Sequence, residues 1–352
     1  MRLTSFMTQG RRSVFRAGLA LALCGSASAA AHAESVADFY KAKQITLIVG
    51  SDPGGGYDLL ARLVSRHLGQ FIPGRPRIIV QNMPGAGSVL MSNQIYRILP
   101  EDGSVIGMVQ RGILISQVLK LPGVHFKVDK FQWIGSVTSE ISVVVSWATS
   151  PVKTFQDLLR RQLVVGGTGR TSDTEAAARL LNALAGTKFK IISGYPGTAD
   201  VMLAMERGEV QGVADLSWSE LKAKHAILLK QHKLNLLAQD SLEKAPDLPN
   251  VPRAIHFVKG TVNRQTARLF YTMKEVARPI LTGPSVPADR VAALRHAFAA
   301  MIKDPGFEAD AKKLRLDLTP KGYKAVEKFI SLVDDSPPQV TGRLAAALDP
   351  PQ

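Results

Sequence analysis

Strand-like segments and segments with helical periodicity alternate along most of the chain. QITLIVG from residue 44, RIIVQN from residue 77 and ISVVVSW from residue 141 are typical of strands, whereas YDLLARLVSRHL and TEAAARLLNALAG are typical of helices. Ser172 and Glu175 have the spacing of a capping box, and Gly186 suits a helix end. Because alternating strands and helices pack best as helices on a mostly parallel sheet, this order predicts an α/β protein.

The first 33 residues have the pattern of an export signal. Arginines come first, an apolar stretch follows, and the small residues AHA end at Ala33. The pair Arg11-Arg12 resembles a twin-arginine signal, and the Sec route is the alternative. We expect cleavage after Ala33, a mature chain that begins at Glu34, and a periplasmic location.

Removal of this signal would leave 319 of the 352 residues, enough for about two domains. The single cysteine, Cys24, lies in the signal, so the mature chain would have no disulfide and no cysteine ligand for a metal. The loss of four arginines and no acid lowers the formal net charge from +15 to +11. Export and the scattered basic residues argue against nucleic acid, which leaves a solvated basic surface or a field that concentrates small anions.

Glycine-rich segments follow several predicted strands. DPGGGYD at 52–58, MPGAGS at 83–88 and GGTGRTS at 166–172 each lead into a predicted helix. The first N–H groups of a helix lack intrahelical partners and carry partial positive charge, and glycine lets a ligand's oxygens approach them. These loops therefore indicate small-anion sites, with a simple tight turn as the alternative for any one of them.

Motifs of nucleotide-binding and catalytic sites are not found in the sequence. There is no GxxxxGK[ST] loop, no GxSxG elbow and no HExxH motif, and GGTGRTS lacks the third glycine of a dinucleotide fingerprint. The histidines after the signal have no metal-ligand spacing. We therefore predict no catalytic residue, no metal and no cofactor. An exported hydrolase or isomerase with dispersed Ser, Asp and His residues is the alternative from another functional class.

Six segments carry a more specific pattern than any single loop. They are PGGGYD with Arg62, NMPGAGS, PEDGSVIG, FQWIGSV, GYPGTADVMLAMERGEVQG and VPADRVAALRHAFAAMIKDPGFEADAKKL, spanning about 44–330. In order and spacing they resemble the Bug family, the periplasmic solute-binding receptors of tripartite tricarboxylate transporters. The resemblance implies a type II periplasmic-binding-protein fold with a ligand cleft between two α/β lobes, lobe 1 being 34–141 plus 264–352 and lobe 2 being 142–263.

The resemblance also implies binding without catalysis. Such a receptor captures a small carboxylated metabolite of the di- or tricarboxylate kind and delivers it to a permease of two integral membrane subunits, and we expect a monomer. An orphan receptor that signals to a membrane histidine kinase is the alternative within this class. Citrate, other carboxylates, aromatic acids and amino acids all stay open as ligands, because backbone donors recognise only the carboxylate.

Carried over by position, the resemblance implies ligand-binding residues in both lobes. Backbone N–H groups of the loops matching DPGGGYD and PGAGS would hold the carboxylate from lobe 1, and the loop at 168–172 would close on it from lobe 2. Arg111 and Arg170 fall in loops expected to face the cleft, either as carboxylate partners or as solvated arginines. The predicted set is Pro53, Gly54, Gly55, Gly56, Tyr57, Asp58, Gly85, Ala86, Gly87, Ser88, Arg111, Thr168, Gly169, Arg170, Thr171, Ser172, Tyr195 and Asp215.

Overall fold

Within the residues described, two mixed β-sheets with helices on their faces form two lobes. This computed structural model describes residues 34–118, 120, 123–170, 172–316 and 318–348, so the predicted export signal and cleavage site lie outside the described residues. The strands in chain order are β1 (Ile45–Val49), β2 (Ile78–Asn82), β3 (Val105–Met108), β4 (Gln132–Ser136), β5 (Ser142–Trp147), β6 (Leu163–Gly167), β7 (Phe189–Ser193), β8 (Gly212–Ser217), β9 (Leu234–Asp240), β10 (Pro279–Thr282) and β11 (Lys321–Gly322). The helices are α1 (Val36–Lys41), α2 (Gly56–His67), α3 (Val89–Arg97), α4 (Phe155–Arg160), α5 (Asp173–Ala185), α6 (Thr198–Glu206), α7 (Trp218–Lys224), α8 (Ala226–Lys230), α9 (Thr261–Thr272), α10 (Ala288–Met301), α11 (Pro305–Lys313), α12 (Tyr323–Asp334) and α13 (Pro338–Leu348).

The first lobe contains the six-stranded sheet, in the order β11-β4-β10-β3-β1-β2. β1 runs parallel to β2 on one side and to β3 on the other. Leu47 belongs to a buried cluster with residues of α2, whereas its neighbour Ile48 belongs to a cluster with residues of α3. Both faces of β1 are therefore covered, which explains why this strand is a continuous apolar run.

The second lobe contains the five-stranded sheet, in the order β7-β6-β8-β5-β9. β6 is parallel to β7 and β8, whereas β5 is antiparallel to β8 and β9. α5 begins after its N-cap Ser172 and ends at Gly186, whose φ of 74° is left-handed, as predicted. The Glu175 carboxylate accepts a hydrogen bond from the N–H of Gly169 at 2.8 Å, so it holds the loop before the helix.

Two antiparallel segments, 137–140 and 274–278, connect the lobes. The N–H of Glu140 donates to the carbonyl of Lys274 at 2.8 Å, and two further backbone bonds join the same segments. The return segment continues into β10, which therefore enters the first sheet antiparallel to β3 and β4. The sheets are mixed for this reason, whereas the alternation of elements had predicted mostly parallel ones. The exact lobe boundaries stay a prediction.

α2 shows the amphipathic pattern that its sequence predicted. It buries Leu60, Leu63 and Val64 in the cluster that contains β1, whereas Arg62 and Arg66 are exposed. Among the described residues, no helix is both long and apolar enough to cross a bilayer.

Candidate functional site

A small polar cavity lies where the two lobes meet. Its volume is about 40 Å³, room for little more than water. The described residues that line it are Ser51, Asp52, Gly56, Tyr57, Gln110, Arg111, Thr168, Asp173, Thr174, Gly197, Thr198, Asp215, Ser217, Glu220 and Arg278. A groove beside α10 is larger, about 460 Å³, but it is lined mainly by apolar side chains. The cavity between the lobes is the candidate site because charged groups from both lobes converge there.

The first loop, residues 52–58, leads from β1 into α2. Gly54 has a left-handed backbone with φ of 91°, and both it and Pro53 are exposed. Gly55 is the buried N-cap of α2 with φ of −75°, so it does not need a left-handed conformation. Since these three do not line the cavity, their role in binding stays a prediction.

Gly56 and Tyr57, the first residues of α2, do line the cavity. The Tyr57 hydroxyl donates to Asp173 Oδ2 of the second lobe at 3.0 Å and accepts from the N–H of Arg111 at 3.1 Å. The guanidinium of Arg278 lies 4.1 Å from the centroid of the Tyr57 ring. Burial raises the pKa of Tyr57 well above its ordinary value, so the phenol keeps its proton and can donate across the lobes.

Asp58 holds the first loop in shape and does not line the cavity. Its Oδ2 accepts from the N–H of Gly54 and from Arg62 Nε, each at 2.9 Å, and its Oδ1 accepts from Asn82 Nδ2 at 3.0 Å. Burial acts to raise the pKa of Asp58, but these hydrogen bonds outweigh burial and lower it. Asp58 therefore acts on a ligand only through the loop that it stabilises.

The second loop, residues 84–88, leads from β2 into α3. Four of its residues have positive φ, and these are Gly85, Ala86, Gly87 and Ser88. The Ser88 hydroxyl donates to the carbonyl of Gly50 at 2.8 Å and accepts from the N–H of Gln110 at 3.0 Å. Ser88 thus joins the ends of β1 and β3, and residues 84–88 are not among the described residues that line the cavity.

Arg111 is the buried cation of the site. It begins a short 3₁₀ segment after β3, is 1% exposed, and lines the cavity. Its Nη2 donates to both oxygens of Asp215 at 3.0 and 3.1 Å, and its Nε lies 3.2 Å from Asp173 Oδ1. Since both carboxylates belong to the second lobe, Arg111 connects the lobes by charge. Sequence alone left open whether Arg111 was a carboxylate partner or a solvated arginine, and the structure buries it at the cavity.

Asp215, on β8, carries the largest share of these ion pairs. Besides Arg111, it contacts Lys274 Nζ at 2.5 Å, and the same Nζ lies 2.8 Å from Asp240 Oδ2. Burial acts to raise the pKa of Asp215, but the charges of Lys274 and Arg111 outweigh it and lower that pKa. Burial raises the pKa of Asp240 to about 6. Asp215 is thus an ionised bridge between the connecting segment and the first lobe.

Arg278 and Glu140 pair within the connecting segments. Arg278 Nη2 donates to Glu140 Oε2 at 2.8 Å, and the Ser217 hydroxyl donates to Glu140 Oε1 at 3.0 Å. Burial raises the pKa of Glu140. Arg278 also lines the cavity, so this pair places a second guanidinium next to that of Arg111.

The second lobe meets the second loop through Gly169. A Cβ on this residue would lie 3.0 Å from the backbone nitrogen of Gly87 and 3.3 Å from Ala86, so the two backbones are in close contact. Thr168 lines the cavity, and its N–H donates to Thr174 Oγ1 at 3.2 Å. Loops that were predicted to hold a ligand from opposite sides therefore touch each other.

The remaining predicted residues have different outcomes. Ser172 is buried and caps α5 by accepting from the N–H of Glu175 at 3.5 Å, and Thr171 lies outside the described residues. Arg170 is exposed, and Tyr195 is half-buried with its ring near Gly166. Ser172, Arg170 and Tyr195 do not line the cavity, so their part in binding stays a prediction.

Sequence reasoning missed most of the charged residues that surround the cavity. They are Asp52, Glu140, Asp173, Glu220, Asp240, Lys274 and Arg278. Asp52 is the first residue of one glycine-rich loop and Asp173 directly follows another, and that position was a usable signal. Lys274 and Arg278 follow a helix far along the chain, where no local pattern marks a site.

The similarity to known proteins settles the class. Residues 60–330 match the sequence profile described as "Tripartite tricarboxylate transporter family receptor". The chain belongs to this receptor family. A relative of the receptor from Cupriavidus necator, described as "UPF0065 protein in gbd 5'region", is 28% identical over 260 residues, covering 69% of this chain and 73% of the relative.

Solved structures share the receptor's fold. Rpa4515 of Rhodopseudomonas palustris, solved with adipate, superposes with a TM-score of 0.66 at 18% identity, covering 87% of this chain and 98% of that one. MatC (Rpa3494) from Rhodopseudomonas palustris, solved with bound malate, gives a TM-score of 0.66 at 18% identity, covering 88% and 99%. The predicted fold of two α/β lobes, the type II periplasmic-binding-protein fold, is therefore confirmed. Family and fold are those of binding receptors.

Proposed function

We propose that this receptor captures a small carboxylated metabolite outside the cytoplasm and delivers it, unchanged, to a permease of two integral membrane subunits. The observation that carries the proposal is the convergence of Arg111 and the N-termini of α2, α5 and α6 at the contact between the lobes. A buried guanidinium and helix N-termini are both suited to carboxylates. The structural neighbours solved with adipate and with bound malate support this class of ligand.

Binding requires the lobes to separate and close again. A cavity of about 40 Å³ has no room for a dicarboxylate, so the described conformation is closed. The segments 137–140 and 274–278 are the natural hinge because the chain crosses between the lobes there. A ligand that contacts both lobes favours the closed state by the difference in its affinity for the two states.

The ligand-binding residues that we propose come from the cavity wall and the loops beside it. Gly56, Tyr57, Arg111, Thr168 and Asp215 line the closed cavity. Backbone N–H groups of the loops at 52–58, 84–88 and 168–172 would add donors once the lobes open.

Export of the receptor is part of the same proposal. The first 33 residues would direct it across the inner membrane by the twin-arginine or the Sec route, with cleavage after Ala33. The mature chain would then act as a monomer in the periplasm. N-terminal sequencing and light scattering of periplasmic protein test both statements.

Mass spectrometry of small molecules released from gently purified mature receptor tests the ligand proposal. We expect one carboxylic acid in near-stoichiometric amount, which binds again when it is added back in calorimetry. Incubation with that acid should return it unchanged. Recovery of a chemically altered acid, with no contaminating enzyme, contradicts a receptor that only binds, and release of a ligand without a carboxylate contradicts the ligand class.

A further inference from the structure

The N-termini of α2 and α6 face each other across the two lobes. Gly55 is the N-cap of α2, and Gly197 is the N-cap of α6. A Cβ on Gly55 would lie only 3.3 Å from Oγ1 of Thr198, and Thr198 is the first residue of α6. Each helix end carries N–H groups without intrahelical partners and about half a positive charge.

Two carboxylates, one from each lobe, lie between these helix ends. Asp52 of the first lobe lies against Gly197, because a Cβ added to Gly197 would overlap Oδ1 of Asp52. Glu220 of the second lobe lies against Gly56, because a Cβ added to Gly56 would be 2.6 Å from Oε2 of Glu220. In the closed state, each helix N-terminus is therefore opposed by a carboxylate of the other lobe.

Carboxyl groups outnumber cationic groups at this contact. Among the described residues, neither Asp52 nor Glu220 forms an ion pair with Lys or Arg, because the guanidiniums lining the cavity are engaged with other carboxylates. Asp200 places a further carboxyl beside Asp52. Lys224 contributes positive charge near Glu220, but its Nζ donates to the carbonyl of Gly55 at 3.4 Å.

The same contact is short of hydrogen-bond donors. Ser51 Oγ and Asp52 Oδ1 are buried, belong to residues that line the cavity, and have no hydrogen-bond partner among the described residues. Both residues are 6% exposed. An ammonium group offers three N–H donors and no acceptor, so it fits these oxygens.

We propose that the cleft selects a carboxylate that also carries an ammonium group, with Asp52 and Glu220 as the residues that determine this specificity. The inference rests on the proposed function and names the ligand class of the same site. When the lobes separate, each helix N-terminus moves away from the carboxylate opposite it. A ligand between them then meets N–H donors on one side and a carboxylate on the other, and an α-amino acid presents groups that match both. An acid without an amino group adds only negative charge beside carboxyl groups that have no ion pair with Lys or Arg among the described residues.

Matched pairs of acids test this selectivity on the wild-type receptor, freed of bound ligand by mild unfolding and refolding. The probes are aspartate with succinate, glutamate with glutarate, and leucine with 4-methylpentanoate, each pair differing in the amino group alone. Calorimetry at pH 7.5 should show that in at least one pair the amino member binds about 30-fold more tightly or better, roughly 2 kcal/mol.

Three isosteric variants locate the cause. Asp52→Asn and Glu220→Gln should each reduce the preference within that pair about tenfold, mainly by weakening the amino member. Glu308→Gln removes one exposed carboxylate elsewhere and should leave the preference unchanged. Should either cleft variant fail to fold, the wild-type comparison still decides the selectivity.

Three results would contradict the inference or part of it. If the acids without an amino group bind as tightly as their amino counterparts, or if only they bind, the inference is wrong and the proposed function stands. If no member of any pair binds, the inference is also wrong, and the released-ligand measurement decides the proposed function separately. A preference for the amino member that survives both cleft variants contradicts the roles of Asp52 and Glu220.

Discussion

The loops after β1 and β2 have similar glycine-rich sequences and different environments. The first loop, 52–58, contributes Asp52, Gly56 and Tyr57 to the cavity between the lobes. The second loop, 84–88, supplies no residue to the described lining, and its Ser88 instead joins the ends of two strands. A glycine-rich turn before a helix is therefore not by itself evidence of a binding surface.

The position of each strand in the sheet accounts for the difference. β1 lies between two parallel neighbours, whereas β2 is the last strand at one edge. Ligands of open α/β sheets bind outside the carboxyl ends of the strands, in the crevice at the point where the strand order reverses. In this receptor that point is β1, with β2 and β3 on opposite sides. The first loop leaves β1 and thus meets the second lobe directly.

Gly56→Val should have the largest effect. Its branched side chain would overlap the Glu220 carboxylate, since a Cβ would already lie 2.6 Å from Oε2, and the overlap would oppose closure of the lobes. We expect binding to weaken roughly 100-fold, or about 2.7 kcal/mol, in calorimetry with the acid recovered from the receptor. In the second loop, Gly85→Ala should change the affinity less than about threefold. Equal losses in the two variants would remove the distinction between the loops.

Ser88→Ala should mainly affect stability. It leaves the buried carbonyl of Gly50 and the N–H of Gln110 without the hydroxyl that both contact. We expect the free energy of unfolding in urea to fall by about 1–3 kcal/mol. Ser65→Ala, whose hydroxyl donates only to the carbonyl of Arg62 on the same helix, is the control, with a change within about 0.5 kcal/mol. A loss of affinity without a loss of stability would contradict this structural role and indicate that Ser88 binds the ligand.

Asp58→Asn should lower stability by about 1 kcal/mol at neutral pH, because the charged acceptor of Gly54 and Arg62 is lost. The pKa of Asp58 is lowered in the folded state, so its carboxylate stabilises the fold above the ordinary value of 3.8. That contribution disappears as the pH falls through the lower folded pKa. Urea unfolding of both proteins between pH 7 and pH 3 should show the difference shrinking, and a constant difference contradicts this account.

Asp52→Asn should show the opposite pH dependence and the smallest effect. Burial, together with a hydrogen bond and repulsion from Asp200, raises the pKa of Asp52 to about 7, and Glu220 adds further repulsion. The folded state therefore holds this proton more tightly than the unfolded chain, and wild-type stability falls relative to the variant as the pH rises from about 4 to about 7. The difference in melting temperature should change by about 2 °C over that window. A change of the opposite sign contradicts the raised pKa.

Much of the fold could be predicted from local sequence. A nearly continuous apolar run marked β1, the 3.6-residue period marked α2, and Ser172 and Gly186 marked the two ends of α5. These features depend on neighbours within a few residues, so the sequence contains them directly. The mixed order of the sheets could not be read in this way, because it follows from where the chain crosses between the lobes.

The candidate site was predictable only in part. Gly56, Tyr57, Arg111, Thr168 and Asp215 were named in advance, and the structure brings them to one cavity. Arg170 and Tyr195 were named on the same grounds and do not line it. Loop membership tells which residues are near a strand end, but it does not tell which way a side chain points once two lobes close.

The sequence by itself determined the α/β class, the glycine-rich loops at strand ends and the resemblance that led to the receptor family. Only the tertiary structure decided which charges meet. Arg111 and Asp215 are 104 residues apart and pair at 3.0 Å because β3 and β8 belong to lobes that face each other. Asp52 and Glu220 come to lie between two helix ends for the same reason. Ion pairing across a cleft depends on the chain's path through both lobes, and local periodicity carries no record of that path.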